Sequence, residues 1–183
     1  MLIVLVVAAA LVIWLVAMFN SLVRLRVRVQ NAWAEIDVQL KRRHDLIPNL
    51  VASVQGYMGH ERSTLLAVTE ARNKAVAAAS GAGVADRAQA ESALTGALSN
   101  LFAVAEQYPQ LRATENVQLL QEQLTSTENR IASARQLYND EVMQFNTAQA
   151  VFPRNVFAGM LGFSPSTMFV AQENERENVK VAF

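Results

Sequence analysis

The sequence contains no cysteine in its 183 residues. This absence excludes disulfide bonds, thiolate nucleophiles, cysteine-ligated metals and a lipid anchor on a lipobox cysteine, although it does not identify the compartment. Glycine and proline are also scarce, at seven and four residues, which favours long uninterrupted helices over a β-rich fold. Sixteen basic and sixteen acidic residues cancel, so no global charge attracts the chain to nucleic acid, and we expect no such partner.

Residues 1–19 lack any charged or strongly polar side chain, and the apolar character continues almost unbroken to Val23. A helix needs about 20 such residues to cross the hydrocarbon core of a bilayer. A cleaved signal peptide is the alternative, because Ala8–Ala10 resembles a cleavage site. Signal peptides normally have a charged N-terminal region and an apolar core of about 7–15 residues, so we favour a transmembrane anchor over residues 1–23.

Three arginines, Arg24, Arg26 and Arg28, follow this apolar run directly, and no basic side chain precedes it. By the positive-inside rule, the N-terminus is expected outside and residues 24–183 in the cytoplasm. The predicted location is therefore the cell (inner) membrane, with a single pass. The same arginines are predicted to lie at the headgroup level, where each gains about 1 kcal/mol from anionic lipid.

A helical pattern continues after the apolar run without a breaker. Apolar residues recur at Val29, Trp33, Ile36 and Leu40, on one face of a helix. The anchor is therefore expected to run directly into the first helix of the cytoplasmic part. Pro48 removes one backbone hydrogen bond and clashes with the preceding turn, so we predict a kink or short break near residues 44–48, with helix resuming to about Ala79.

Three later breaks are predicted at Ser80–Gly83, Tyr108-Pro109 and Phe152-Pro153. Asp86 is the expected N-cap after the first of them. Beyond Thr114, apolar spacings of three and four persist over several heptads, which is typical of a bundle or coiled-coil helix. A short apolar element is expected at Val156–Leu161.

Together these patterns predict an all-α fold: an N-terminal transmembrane helix that continues into an antiparallel bundle of three to four long helices, similar to a four-helix bundle. The expected divisions are an anchor at 1–23, a helical bundle at 24–163 and a C-terminal tail at 164–183.

The stretch NAWAEIDVQLKRRHDLIPNLV, residues 31–51, resembles the N-terminal signature of the LemA family, AWAxIDVQLKRRxDLIPNLV. The resemblance covers residues 19 to about 165, and the terminus Val179–Phe183 matches more loosely. Further matching segments are Gly56-Tyr57, His60-Glu61, Glu70-Ala71-Arg72, Leu137-Tyr138-Asn139, Phe145-Asn146 and Phe152-Pro153. The resemblance implies a membrane-anchored helical bundle and implies no particular biochemical activity.

The sequence carries few residues suited to catalysis. His60-Glu61 begins like the metalloprotease motif HExxH, but Thr64 stands where the second histidine ligand would be. The other histidine, His44, lies on a separate segment. We therefore predict no catalytic, cofactor-binding or metal-binding residue, and a hydrolase centred on His60 and Glu61 is kept only as an alternative.

Two polar groups are the candidate functional residues. The predicted interaction face near Pro48 consists of Lys41, Arg42, Arg43, His44, Asp45 and Asn49. Asp37, Lys41 and Asp45 follow each other at i, i+4 steps, which predicts an ion-pair ladder on the helix face. The structural alternative is a charged face tied to glutamates such as Glu61 or Glu70.

The second polar group is Tyr138-Asn139 with Phe145-Asn146. Polar groups inside an apolar stripe form hydrogen bonds across a bundle and fix its register, which is the role that we predict for this group.

Three functions are weighed. The favoured hypothesis is a non-enzymatic membrane scaffold or assembly component that forms homo-oligomers or contacts other membrane proteins, because Ala8–Ala10 and Ala75–Ala79 permit close helix approach. The second is an adaptor that binds peptides or anionic groups through Lys41–His44, and the third is the hydrolase.

Overall fold

The computed structural model describes residues 1–112 and 114–169, and in them the chain forms helices and no strand. The helices are α1 (Leu2–Gln55), α2 (Arg62–Ala79), α3 (Val84–Ala105), α4 (Pro109–Arg112), α5 (Glu115–Ala150) and α6 (Arg154–Ala158). The long helices pack in the manner of a bundle, α1 with α5 and α2 with α3. The predicted all-α fold is confirmed. Residues 170–183, which include the loosely matching Val179–Phe183, lie outside the described residues.

The N-terminal part of α1 is the one segment in the described ranges that is long and apolar enough to cross a membrane. Its most apolar 18-residue window has a mean hydropathy of 3.1, and only 6% of that window is buried. The three arginines that follow, Arg24, Arg26 and Arg28, are exposed. This helix is compatible with a single-pass membrane protein.

The short break predicted near Pro48 is wrong, because α1 continues through Pro48 to Gln55; the kink, which is the alternative, stays a prediction. A proline at this position leaves the carbonyl of His44, four residues earlier, without its helical donor. Arg72 of α2 replaces that donor, since its Nε lies 3.0 Å from the His44 carbonyl oxygen. The chain instead leaves the helix at residues 56–61, so the expected continuous helix to Ala79 is interrupted there.

The other helix limits agree with the sequence pattern, with one exception. The turn at residues 80–83, the end of α3 before Pro109 and the end of α5 before Phe152 are confirmed. Asp86 is not the N-cap of α3, because Gly83 takes that position with an extended backbone. Asp86 instead lies in the first turn, where its negative charge is favourable to the helix dipole.

Two compact units are present. Residues 37–132, with Phe169, form the first of these units, which contains α2, α3 and α4 and parts of α1 and α5. Its core is aliphatic and consists mainly of Ile47, Leu50, Val54, Met58, Leu65, Val68, Leu94, Leu98, Leu101, Leu111, Val117 and Leu124. The divisions expected from the sequence, after residues 23 and 163, stay a prediction.

The second unit comprises residues 1–36 and 133–168. Its buried side chains include Met18, Leu22, Val29, Ala32, Ile36, Ala134, Tyr138, Val142, Phe145, Ala158 and Phe163. The Phe163 ring lies 5.6 Å from that of Phe19 and 6.4 Å from that of Phe145, between centroids. Phe163 therefore joins α1 and α5 within this unit.

A segment that we name the C-terminal strap, residues 163–168, is fastened to α5 by polar side chains. Asn146 accepts a hydrogen bond from the Ser166 backbone N–H at 2.9 Å and donates one to the Ser166 carbonyl at 2.9 Å. The Tyr138 hydroxyl donates to the Thr167 carbonyl at 2.8 Å. Both side chains belong to the second polar group of the sequence, and their hydrogen bonds hold a non-helical segment in place.

Gly162 makes the turn between α6 and the strap. Its φ of 77° is in the left-handed region. The Phe163 N–H donates to the Ala158 carbonyl and the Gly162 N–H to the Gly159 carbonyl, which is the Schellman arrangement for ending a helix. A glycine suits this position because it has no Cβ to strain.

We predict that Gly162→Ala lowers the free energy of unfolding by about 1–2 kcal/mol, the cost of a left-handed backbone for a residue with a Cβ. Gly159→Ala is the matched control, since Gly159 has a helical φ and a methyl group added to it would have no neighbouring atom within 4 Å. Denaturant unfolding of the detergent-solubilised chain, followed by circular dichroism, measures both. Equal stability of the two variants would contradict the assignment of the turn.

Candidate functional site

The residues of the predicted interaction face divide into two sets. Lys41, Arg42, Asp45 and Asn49 are exposed. In contrast, Arg43 is fully buried and His44 is 6% exposed. The binding role of the face stays a prediction for the exposed residues, whereas Arg43 and His44 are enclosed by protein.

Arg43 of α1 is the centre of a buried polar cluster. Its Nη2 forms an ion pair with Oε2 of Glu91 on α3, a side chain that is also fully buried. Its Nη1 lies 2.6 Å from Oε2 of Glu128 on α5 and 3.0 Å from the Thr95 hydroxyl. One guanidinium thus joins three helices. Arginine suits this role because its planar group presents several donors in a fixed arrangement.

His44 contributes to the cluster through both its side chain and its backbone. Its Nε2 lies 3.0 Å from Oε1 of Glu91, while its backbone carbonyl accepts the hydrogen bond from Arg72 of α2. Through Arg43 and His44, α1 is therefore hydrogen-bonded to α2, α3 and α5. Together with Glu91, Thr95, Glu128 and Arg72, these residues form what we call the Arg43 cluster.

The electrostatics of the cluster depend on Glu91. Burial by itself raises the pKa of this carboxyl, but the hydrogen bond with His44 and the charge of Arg43 outweigh burial, so the pKa is lowered from its ordinary value. Glu91 is therefore a carboxylate at neutral pH. A buried charge of this kind is stable only while its partners remain in place.

The expected ion-pair ladder of Asp37, Lys41 and Asp45 is not formed. Asp37 pairs instead with Arg87 of α3, whose Nη2 lies 2.5 Å from Asp37 Oδ1. The partner is thus on a neighbouring helix, since packing brings α3 against this face of α1. The structural alternative names Glu61 and Glu70, but the glutamates that pair with Arg43 are Glu91 and Glu128.

An open pocket of about 360 Å³ lies beside the cluster. Lys41, Arg72 and Arg87 contribute positive charge to its lining, and Asp37 and Asp45 contribute negative charge. The predicted interaction face and the Arg43 cluster thus meet at this pocket, whose wall is formed by α1, α2 and α3.

The third candidate site, His60-Glu61, lies in the turn between α1 and α2. His60 is exposed, and Glu61 accepts a hydrogen bond of 3.3 Å from the Tyr108 hydroxyl. In the ranges 1–112 and 114–169, no three histidine, aspartate or glutamate side chains are grouped as metal ligands would be. The Tyr108 contact gives Glu61 a structural partner.

The sequence analysis missed Glu91, Arg87, Arg72 and Glu128. Two of them had a visible signal, because Arg87 and Glu91 continue the stripe of Leu94 and Leu98 at helical spacing. Charged residues in such a stripe must be buried, and buried charges require partners. Arg72 belongs to the family-matching segment Glu70-Ala71-Arg72, whereas no comparable signal marks Glu128.

We predict that Arg43→Ala lowers the free energy of unfolding by about 3–5 kcal/mol, because it leaves Glu91 buried without its cation. Arg42→Ala is the matched control: this neighbouring arginine is exposed, and its removal should change stability by no more than about 0.5 kcal/mol. Denaturant unfolding measures both. Full stability of Arg43→Ala would show that the cluster does not hold the helices together.

The lowered pKa of Glu91 predicts acid sensitivity. Its contribution to stability is fully present above the unfolded-state value of 4.5 and is lost as pH falls through the lower folded-state pKa. The unfolding free energy of the wild type should therefore decrease over this acid range. Glu91→Gln should be less stable at neutral pH and show a shallower acid dependence, whereas Glu70→Gln, at an exposed position, should follow the wild type.

Comparison with known proteins agrees with the resemblance seen in the signature. The family model of the LemA family matches residues 32–183. Protein LemA of Metamycoplasma hominis is 30% identical over 162 residues, which cover 87% of this chain and 72% of that protein. Magnetosome protein MamQ 2 of Paramagnetospirillum magneticum is 24% identical over 183 residues, with 87% and 67% covered.

A third relative, magnetosome protein MamQ of Magnetospirillum gryphiswaldense, is 25% identical over 177 residues, which cover 84% of this chain and 65% of that protein. The family match includes every residue of the Arg43 cluster and of the pocket beside it. Because this match spans most of the sequence, the chain belongs to the LemA family.

Proposed function

We propose that this protein is a membrane-anchored, non-enzymatic scaffold that self-associates or presents a surface to other membrane proteins. The Arg43 cluster is the observation that carries this proposal. Two residues from the polar part of the signature, Arg43 and His44, are buried, and their contacts join four helices. Such a cluster gives the cytoplasmic helices a fixed arrangement, which a scaffold requires and which does not depend on a substrate.

The names of the relatives support the same function. Two of the proteins described above are named for the magnetosome, and none of the names refers to a reaction. A component of an assembly is therefore the role most consistent with the relatives.

The proposed arrangement has a membrane span at residues 1–23, a bundle at 24–163 and a tail at 164–183. Arg24, Arg26 and Arg28 follow the span, so the bundle lies in the cytoplasm by the positive-inside rule. Their exposed side chains are available to anionic headgroups.

A groove between the end of α1 and α2 supports the presentation of a surface. Its volume is about 530 Å³, and its lining includes Val51, Gly59, Leu65 and Leu66. Leu66 is 60% exposed. Exposed apolar surface beside a groove is typical of protein contact sites, so a partner that covers this groove would bury Leu66.

The alternative function is an adaptor for anionic groups, and the pocket beside the Arg43 cluster is the observation that favours it. Lys41, Arg72 and Arg87 line this pocket, and these cations are suited to a phosphate or carboxylate. Asp37 and Asp45 oppose an anion in the same pocket, which is why we rank this function second.

We predict that the full-length chain in mild detergent is a discrete oligomer and that a chain lacking residues 1–23 is smaller in copy number. The reason is that the exposed face of the span carries Ala8–Ala10, whose small side chains permit close helix approach. Light scattering coupled to size exclusion measures both masses.

Three outcomes decide between the functions. A large assembly only in the full-length form assigns assembly to the span. Assembly in both forms assigns it to the bundle, and Leu66→Asp should then dissociate it if the groove is the contact. Monomers in both forms would overturn self-association and direct the search to ligands of the pocket lined by Lys41.

A further inference from the structure

The second unit contains an exposed apolar segment between α5 and the C-terminal strap. We name residues 151–161 the α6 tip; they connect α5 to the C-terminal strap and contain α6. Five of their large apolar side chains are exposed: Val151 54%, Phe152 77%, Val156 55%, Met160 84% and Leu161 42%. Five exposed apolar side chains are many for so short a segment, and the segment contains no acidic residue.

Contacts between aromatic rings show which part of α1 lies beside the tip. The ring of Phe157, within the tip, lies 6.4 Å from that of Trp14, between centroids. Next along the chain, Phe163 contacts Phe19, and the guanidinium of Arg26 lies 5.2 Å from the centroid of the same ring. The tip therefore lies on the N-terminal side of the arginines, beside the apolar part of α1.

This level is inside the membrane if α1 spans it. Trp14 precedes Arg24 by ten residues, and a helix rises 1.5 Å per residue, so the two lie about 15 Å apart along the axis. The hydrocarbon core is about 30 Å thick. With Arg24 at the headgroups, a segment level with Trp14 reaches well into that core.

We propose that the α6 tip is a second membrane-embedded element, which inserts into the lipid beside the span. This inference rests on the proposed transmembrane anchor and adds a second contact between the protein and the bilayer. It places residues 151–161 in the membrane, so only the remainder of the proposed bundle lies in the cytoplasm. The occupant of the apolar surface is lipid, because that surface is continuous with the exposed apolar side chains of the span at the same level.

The backbone of the tip suits this environment. Unpaired N–H and C=O groups are costly in hydrocarbon. The turn after α6 satisfies several of its own, since Leu161, Gly162 and Phe163 donate to the carbonyls of Phe157, Gly159 and Ala158. Pro153 has no N–H to satisfy. Arg154 is the charged residue of the tip, and its long side chain is able to extend toward the headgroups.

The absence of cysteine permits a direct test by single labelling of the full-length chain in lipid nanodiscs. Phe152→Cys and Met160→Cys place an environment-sensitive fluorophore on the tip. Val12→Cys, at an exposed position of the span, is the lipid control. Leu137→Cys is the water control, because Leu137 is 48% exposed on α5, next to Tyr138, whose ring is level with Trp33.

Labels at positions 152 and 160 should show blue-shifted emission and be quenched by nitroxide lipids, as at position 12. The label at 137 should instead be quenched by aqueous iodide. Water exposure at 152 and 160, with lipid exposure at 12, would overturn the tip proposal and leave the anchor intact. Water exposure at all four positions would overturn the anchor as well.

Protection of 152 and 160 from both quenchers would also overturn the proposal, because it would show that another protein surface covers the tip. A second variant tests the apolar contact itself. Phe152→Asp should reduce lipid quenching of the label at Met160→Cys, while Leu137→Asp should leave it unchanged.

Discussion

The buried ion pair between Arg43 and Glu91 is the interaction on which the helices of the first unit depend. Neither charge is stable in a protein interior by itself, so each fixes the position of the other. Glu128 and Thr95 take further donors of the same guanidinium. The geometry of one side chain thereby sets the relative placement of α1, α3 and α5, more specifically than aliphatic packing would, because aliphatic contacts have no direction.

Pro48 adds a second constraint on the arrangement of the helices, because it requires a donor from α2. A proline in the interior of a helix normally ends it, yet α1 continues because Arg72 donates to the carbonyl that the proline leaves free. Arg43 thus joins the helices through its side chain. His44 does so through its side chain, which contacts Glu91, and through its backbone carbonyl, which accepts the hydrogen bond from Arg72. A long helix with an internal proline is stable here only as part of the bundle.

The same division between apolar packing and directed polar contacts recurs in the second unit. Phe163 is buried against Phe19 and Phe145. The Asn146 side chain holds the strap through hydrogen bonds to the backbone of Ser166. These contacts place the α6 tip beside the apolar part of α1. Ring contacts and backbone hydrogen bonds thus fix the position of the α6 tip within this unit.

The sequence by itself determined the helical class and the apolar span, because both follow from local periodicity and composition, but it did not determine the end of α1 or the start of α2. The apolar spacing beyond Thr114 also predicted one inward face for α5, and Leu124, Ile131 and Phe145 on that face are buried. Only the tertiary structure decided the partners of Arg43 and the continuation of α1 through Pro48. Ion pairs such as Arg43 with Glu128, and the hydrogen bond from Arg72, join residues far apart in sequence, and no local pattern encodes which helices meet.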